Sequence, residues 1–234
     1  MLQYQIVQDK DGKQWLETAH TGKQLLTIPQ MNKGTAFTES ERTELGLLGK
    51  LPHKVETLAE QVTRAKAQYD AFDEPLNRHV YLYNLHDTNQ TVFYGLVSQY
   101  LAEMLPMIYT PIVGYAIKQF SLEFRHPRGL YLTYNDRDRL VEILKNRSNP
   151  NIDVVVVTDG EGILGIGDQG VGGMDIPIAK LMVYTLCGGI DANRGLPILL
   201  DVGTNNPALL NDPMYLGWRH KRISDDEYDK FIPK

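Results

Sequence analysis

Residues 152–200 read IDVVVVTDGEGILGIGDQGVGGMDIPIAKLMVYTLCGGIDANRGLPILL. The first apolar run, residues 152–157, is continuous and is typical of a strand that is buried on both faces. Residues 176–186 have the pattern of a helix, and residues 196–200 predict another short strand. Because strands that alternate with helices form βαβ units, this region predicts a parallel sheet and an α/β fold.

The residues before this region have a helical pattern. Residues 38–41 (TESE) and 57–60 (TLAE) are capping boxes, in which a Thr side chain and a Glu three residues later satisfy the first helical amides. Apolar residues at helical spacing follow each of them. The other predicted elements are strands at 4–7, 25–28 and 130–134, and helices at 76–85, 89–104, 137–145 and from Pro111 to about residue 124.

The pattern changes from helical to alternating near residues 126–129. We therefore expect three parts: an N-terminal arm at residues 1–30, a helical segment at 31–126 and part of a parallel-sheet α/β domain at 127–234. A capping box at 224–227 predicts a last helix close to the end of the sequence.

Composition excludes several classes of protein. The 234 residues are 42% hydrophobic and carry a net charge of -5, which excludes a disordered chain and, with no long basic run, argues against nucleic acid or an anionic membrane as partners. The apolar runs are shorter than the roughly 20 residues of a membrane helix. The N-terminus lacks the apolar core of a signal peptide, so we expect a cytoplasmic protein. Cys187 is the only cysteine, and the six histidines lack zinc spacing, which excludes an intrachain disulfide and argues against a zinc site.

The glycine-rich sequence at residues 165–170, GIGDQG, matches the G-x-G-x-x-G pattern of dinucleotide-binding loops. Two features argue against that function. Asp168 places a carboxylate where a pyrophosphate would bind helix amides, and five residues separate the motif from the predicted helix. We therefore favour a loop that allows close backbone approach beside a small-molecule pocket, with nucleotide binding as the alternative.

Two residues are candidates for proton transfer. Lys180 has almost only apolar neighbours on its predicted helix, and a desolvated lysine can be neutral and accept a proton. Tyr109 lies between Pro106 and Pro111 in a stiffened segment, where its hydroxyl could donate a proton. The alternatives are a lysine at the rim of a pocket and a tyrosine that only packs. Polar residues at 201–206 follow a predicted strand, where parallel sheets usually carry their sites.

Eight stretches, taken together and in order over about residues 31–231, resemble the malic enzyme family. The resemblance implies a bacterial-type enzyme that converts L-malate to pyruvate and carbon dioxide with NAD and Mn²⁺ or Mg²⁺, and that works as a homo-oligomer. The stretches are NKGTAF (32–37), GLLGKLP (46–52), MIYTPIVG (107–114), VVVTDGE (155–161), ILGIGDQG (163–170), IPIAKL (176–181), DVGTNN (201–206) and LNDP (210–213).

The resemblance also assigns roles to residues. Tyr109 falls on the general acid and Lys180 on the general base. Gly162 stands at a position where most malic enzymes have an arginine that contacts substrate or cofactor. No stretch of this sequence matches the family's metal-binding carboxylates or its nucleotide-binding domain. The chain is therefore expected to be inactive alone and to represent the N-terminal, malate-side region.

Two alternatives to this function stay open. Gly162 and Asp175 are similar to the residues of malolactic enzymes, which convert L-malate to lactate and carbon dioxide. Tyr109-Thr-Pro and Asp159-Gly160 are instead similar to malic enzymes proper, which favours the malic reaction. The other alternative is a non-catalytic truncated chain that only binds malate or associates with other subunits.

Overall fold

The structure is a computed structural model that describes residues 5–232, without the side chain of Gln14. Residues 1–4, which include the first residue of the strand predicted at 4–7, and residues 233–234 lie outside the described part. The chain divides into two compact units, one up to Met104 and one from Leu105 onward. Helix α6 (Leu101–Ile108) contains that boundary. The division into an arm, a helical segment and a partial α/β domain stays a prediction.

The first unit consists of a hairpin and several helices. Strand β1 (Gln5–Gln8) pairs antiparallel with β2 (Gln14–Glu17). Apolar side chains of α3 and α5, among them Val62, Phe93 and Leu96, form the buried part of the helical region. The helices are α1 (Gly22–Leu26), α2 (Glu39–Glu44), α3 (Leu58–Asp70), α4 (Pro75–Thr88) and α5 (Gln90–Gln99).

Both predicted capping boxes are confirmed. The amide of Glu41 donates to the Thr38 hydroxyl at 3.3 Å, and the Thr38 amide donates to the Glu41 carboxylate at 2.8 Å. The corresponding distances for Glu60 and Thr57 are 3.2 and 2.8 Å. These reciprocal bonds satisfy amides that have no partner within the helix, and so fix where α2 and α3 begin.

Two of the elements predicted in this unit are wrong. Residues 25–28 do not form a strand, because Leu25 lies in the last turn of α1. Leu25 and Ile28, three residues apart, are both buried in one apolar cluster with Phe37. Spacing by three residues suits a helical turn rather than the two-residue period of a strand. The predicted helix at 89–104 is interrupted at Tyr100, whose backbone leaves helical geometry between α5 and α6.

The second unit is built on a three-stranded parallel sheet with the order β3–β5–β4. Helix α10 (Asp175–Gly188) connects β4 to β5 and packs on β5, where a Cβ on Gly195 would lie 2.9 Å from Leu181. The predicted α/β fold is confirmed. The strands are β3 (Leu130–Thr133), β4 (Val154–Thr158) and β5 (Gly195–Asp201), and the other helices are α7 (Ile112–Lys118), α8 (Phe120–Glu123), α9 (Leu140–Lys145), α11 (Pro207–Asn211) and α12 (Asp225–Phe231).

The burial of β4 differs from the prediction. Val155 and Val157 are 49% and 51% exposed, whereas their neighbours along the strand are half-buried. An apolar run alone predicts burial on both faces, but β4 is an edge strand of this sheet, and one of its faces is partly open in the described chain. The predicted helix at 137–145 is also shorter, because residues 134–139 form 3₁₀ turns before α9.

The described residues contain two sheets, the hairpin and the three-stranded sheet. Within residues 5–232 no further parallel sheet is present that would form a nucleotide-binding domain, in agreement with the expected fold class. None of the helices in the same residues is long and apolar enough to cross a membrane.

Candidate functional site

The site begins at the end of β4, where the chain turns into a glycine-rich loop at residues 159–170. Gly160 has a φ of +71°, and its carbonyl accepts a hydrogen bond from the Gln169 amide at 2.9 Å. A Cβ at Gly160 would collide with the carbonyl oxygen of Gly170. The two ends of the loop are therefore packed backbone against backbone at the carboxyl edge of the sheet, where parallel sheets usually carry their sites.

Asp168 fills the position that a phosphate would need. Its carboxylate accepts hydrogen bonds from the amides of Gly170 at 3.0 Å and Asn205 at 2.7 Å, and from the Thr204 hydroxyl at 2.9 Å. The amide of Gly170, at the end of the loop, is thus already bound to a negative group of the chain itself. A 3₁₀ turn at Gly170–Met174 lies between the motif and α10, which begins only at Asp175. This geometry supports the structural interpretation of the G-x-G-x-x-G pattern over nucleotide binding.

Tyr109 lies directly after α6, before a cis Thr110–Pro111 peptide bond and α7. Its carbonyl accepts a hydrogen bond from the Val113 amide at 2.9 Å, which ties it to the first turn of α7. The half-buried side chain packs against an apolar cluster formed by Val113, Ile117 and Ala179. Ala179 belongs to α10 and immediately precedes Lys180. The structure therefore brings Tyr109 to the part of α10 that carries Lys180.

Lys180 is half-buried in the middle of α10, between Ala179, which is fully buried, and Leu181. Within residues 5–232 its amine forms no ion pair with a carboxylate. Both interpretations of this lysine therefore stay open: an amine at the rim of a pocket and an amine available for proton transfer.

Gly162 is exposed in the loop, next to Ile163, which packs against the same cluster as Tyr109. A Cβ at Gly162 would meet no atom within 4 Å. The position therefore has room for a large side chain, but glycine itself offers no group that could contact a substrate or a cofactor.

The described residues do not fit a metal ion. No group of three or more His, Cys, Asp or Glu side chains within residues 5–232 is arranged to hold one. The carboxylates of Asp159, Glu161 and Asp168 in the loop region lie 3.3, 3.6 and 3.7 Å from nitrogens of the Arg222 guanidinium instead.

Comparison with known proteins agrees with this arrangement. The family model described as malic enzyme, N-terminal domain, matches residues 86–234. The chain belongs to the malic enzyme family. It is 54% identical over 211 residues to NAD-dependent malic enzyme 2 of Vibrio vulnificus, covering 90% of this chain. It is 53% identical over 221 residues to the NAD-dependent malic enzyme of Acinetobacter baylyi, and 52% identical over 227 residues to that of Aeromonas hydrophila, covering 94% and 97% of this chain.

The match covers only part of each relative. The aligned region is 38% of the length of the Vibrio vulnificus protein, 39% of the Acinetobacter baylyi protein and 40% of the Aeromonas hydrophila protein. The chain thus spans about two fifths of the malic enzymes that it matches.

Asp175 is a further titratable group on α10, and no sequence motif predicts its burial. It lies in the first turn of α10, five residues before Lys180. Burial raises the pKa of its carboxyl to about 7, and the positive charge of Arg128 opposes that shift. Burial also raises the pKa of Tyr131, with a further contribution from the charge of Asp175. A buried carboxyl has no signal in sequence periodicity, since its burial depends on how distant segments of the chain pack around the start of α10.

We expect Asp175→Asn to stabilise this malic enzyme chain above neutral pH. The pKa of Asp175 is about 7 in the folded chain and about 3.9 in an unfolded one. Between pH 4 and pH 7 the folded chain therefore keeps the proton on Asp175, whereas the unfolded chain has lost it. The free energy of unfolding accordingly falls as the pH rises from about 4 to 7. Asparagine removes this titration, so the gain should reach up to about 4 kcal/mol at pH 8 and vanish near pH 4.

Denaturant unfolding of the wild type and Asp175→Asn at pH 4 and pH 8 measures this difference. Asp229→Asn, which changes an exposed carboxyl on α12, is the control and should show little effect at either pH. An equal gain at both pH values for Asp175→Asn would show that the buried charge is not its cause.

Proposed function

We propose that this chain forms the malate-side region of an NAD-dependent malic enzyme, which oxidises and decarboxylates L-malate to pyruvate and carbon dioxide. The observation that carries the proposal is the packing of Tyr109 against an apolar cluster that includes Ala179, the residue before Lys180 on α10. The names of the relatives, all NAD-dependent malic enzymes, support malate as substrate and NAD as cofactor. The proposal includes a homo-oligomer in the cytoplasm.

In this proposal the two residues move protons at different atoms of the substrate. The neutral amine of Lys180 takes the proton of the C2 hydroxyl as malate is oxidised. After carbon dioxide has left, the Tyr109 hydroxyl gives a proton to C3 of the enolate, which becomes the methyl group of pyruvate. The apolar cluster beside Tyr109 excludes water from one side of the reacting atoms, which limits proton exchange with solvent.

The described residues supply neither a metal site nor a free phosphate-binding loop. We therefore assign no step of the reaction to Mn²⁺, Mg²⁺ or NAD through residues 5–232. The 234-residue chain alone is expected to produce no NADH from L-malate, NAD and Mn²⁺.

A fusion protein tests the activity. In it, this chain replaces the aligned two fifths of the Acinetobacter baylyi NAD-dependent malic enzyme. We expect the purified fusion to form pyruvate and NADH from L-malate in equal amounts. Steady NADH production by the unfused chain would refute its predicted inactivity, whereas a folded fusion without any turnover of malate would refute the proposed function.

Malolactic chemistry is the second candidate function, and Gly162 and Asp175 are the residues that favour it. Product analysis of the same fusion distinguishes the two. Lactate formed without net NADH would assign the malolactic reaction, and pyruvate formed with NADH assigns the malic reaction. A fusion that binds L-malate but forms neither product would support the non-catalytic alternative.

Gly162→Arg in the fusion is expected to lower KM for malate or NAD. The position is exposed and has no atom within 4 Å of an added Cβ, so the arginine should be accommodated without loss of stability. A charge-assisted hydrogen bond to a carboxylate or phosphate is worth about 1.5–3 kcal/mol, or roughly ten- to a hundredfold in affinity. Gly162→Met, which adds bulk without charge, is the control. Equal KM values for the Arg and Met variants would contradict this role of the position.

A further inference from the structure

Arg222 is the most enclosed cation near the loop, and no motif in the sequence drew attention to it. Its side chain is only 7% exposed. Its Nη2 donates to the Asp159 carbonyl at 2.7 Å, and its Nη1 lies 3.3 Å from the Asp159 carboxylate. Its Nε lies 3.6 Å from Glu161 and 3.7 Å from Asp168. One guanidinium thus faces three carboxylates.

These carboxylates belong to the two ends of the loop at residues 159–170. Asp159 and Glu161 are at its start, and Asp168 is near its end. The guanidinium therefore holds the loop ends together, in addition to the hydrogen bond from the Gln169 amide to Gly160. A planar group with five donors suits this geometry, whereas the ammonium of a lysine reaches fewer acceptors at once.

The middle of the same loop packs against the apolar cluster that Tyr109 also contacts. Ile163 and Ile166 pack with Tyr109 against the apolar cluster that contains Ala179. The loop therefore has two attachments: its ends bind Arg222, and its middle packs against the segment of Tyr109 and the helix of Lys180. A change at Arg222 should reach those residues through the loop.

We propose that Arg222 is a positioning residue for the malate site, which fixes the loop at residues 159–170 against Tyr109 and α10. The inference rests on the proposed function of Tyr109 and Lys180. Arg222 is not assigned a contact with the reacting atoms, because its guanidinium faces the loop: Nη1 and Nη2 bind Asp159, and Nε lies 3.6 and 3.7 Å from Glu161 and Asp168.

Amide hydrogen exchange of the 234-residue chain tests the first attachment. In Arg222→Met, the amides of Gln169 and Gly170 should exchange at least about tenfold faster than in the wild type, which corresponds to about 1.4 kcal/mol of lost protection. In Arg222→Lys, these amides should exchange at rates between those of the wild type and of Arg222→Met. If the Met variant does not fold, the Lys variant alone provides the test. Arg219→Met is the matched control, since Arg219 is exposed and its guanidinium has only a 3.5 Å contact with a carbonyl. Unchanged rates in both Arg222 variants would overturn the proposal.

The reactivity of Lys180 tests the second attachment. Acetylation of Lys180 by acetic anhydride, followed by mass spectrometry, gives the pH at which this amine becomes reactive in the chain itself. Arg222→Met should move that profile, Arg219→Met should not, and Arg222→Lys should move it less. An unchanged Lys180 profile in a variant whose loop exchanges faster would show that the loop does not position the site. Protection of Lys180 by L-malate in the wild-type fusion tests the proposed function separately, since it does not involve a change at Arg222.

Discussion

Lys180→Met in the fusion protein is expected to lower kcat for malate oxidation by about 10²–10⁴-fold, the range found for loss of a general base. Methionine keeps the length and apolar character of the side chain but cannot accept a proton. Because Lys180 is half-buried and forms no ion pair within residues 5–232, the substitution should have little effect on folding. Steady-state kinetics with L-malate and NAD measures the change.

Lys118→Met is the matched control for this experiment. Lys118 is exposed at the end of α7, outside the apolar cluster that Tyr109 contacts. Its replacement should leave kcat within about twofold of the wild type, as is usual for surface substitutions. A Lys180 variant that keeps wild-type kcat would remove the general base from the proposed mechanism.

Gly160→Ala is expected to destabilise the second unit by at least about 3 kcal/mol. A Cβ at this position would collide with the Gly170 carbonyl oxygen and would lie 3.0 Å from its carbonyl carbon. In addition, the backbone φ of +71° at this position destabilises the folded state by about 1–2 kcal/mol when the residue is alanine. Since both contacts are with backbone, no side-chain rotation relieves them, and the two ends of the loop must separate.

Denaturant unfolding of Gly160→Ala and Gly162→Ala provides a matched pair within one loop. An alanine at Gly162 would meet no atom within 4 Å, so this control should be nearly neutral. Equal stabilities of the two variants would contradict the close packing of the loop ends.

Local features of the fold were predictable from the sequence, because they depend on residues close in the chain. The capping box at Thr57 requires only Glu60 three positions later, and α10 follows from the apolar residues around Lys180. Residues 25–28 were assigned wrongly because so short an apolar run fits either a strand or a helical turn.

Features that depend on distant residues were not predictable. Arg222 contacts Asp159 across 63 positions, and no periodicity relates them. Similarly, the exposure of Val155 depends on the strand order β3–β5–β4, which places β4 at an edge. The roles of Tyr109 and Lys180 were inferred from motif resemblance. The contact between Tyr109 and the cluster that contains Ala179 became visible only in the folded chain.

Substrate protection of Lys180 is the most direct test of the central claim that Tyr109 and Lys180 form the malate site. The fusion protein is acetylated with a limiting amount of acetic anhydride without ligand, with L-malate and with D-malate, and the modification of each lysine is quantified by mass spectrometry. Lys118 serves as the internal reference, because it is exposed and lies outside the proposed site. L-malate should slow acetylation of Lys180 several-fold, D-malate should slow it less, and acetylation of Lys118 should be unaffected. Acetylation of Lys180 at the same rate with and without saturating L-malate would contradict the claim.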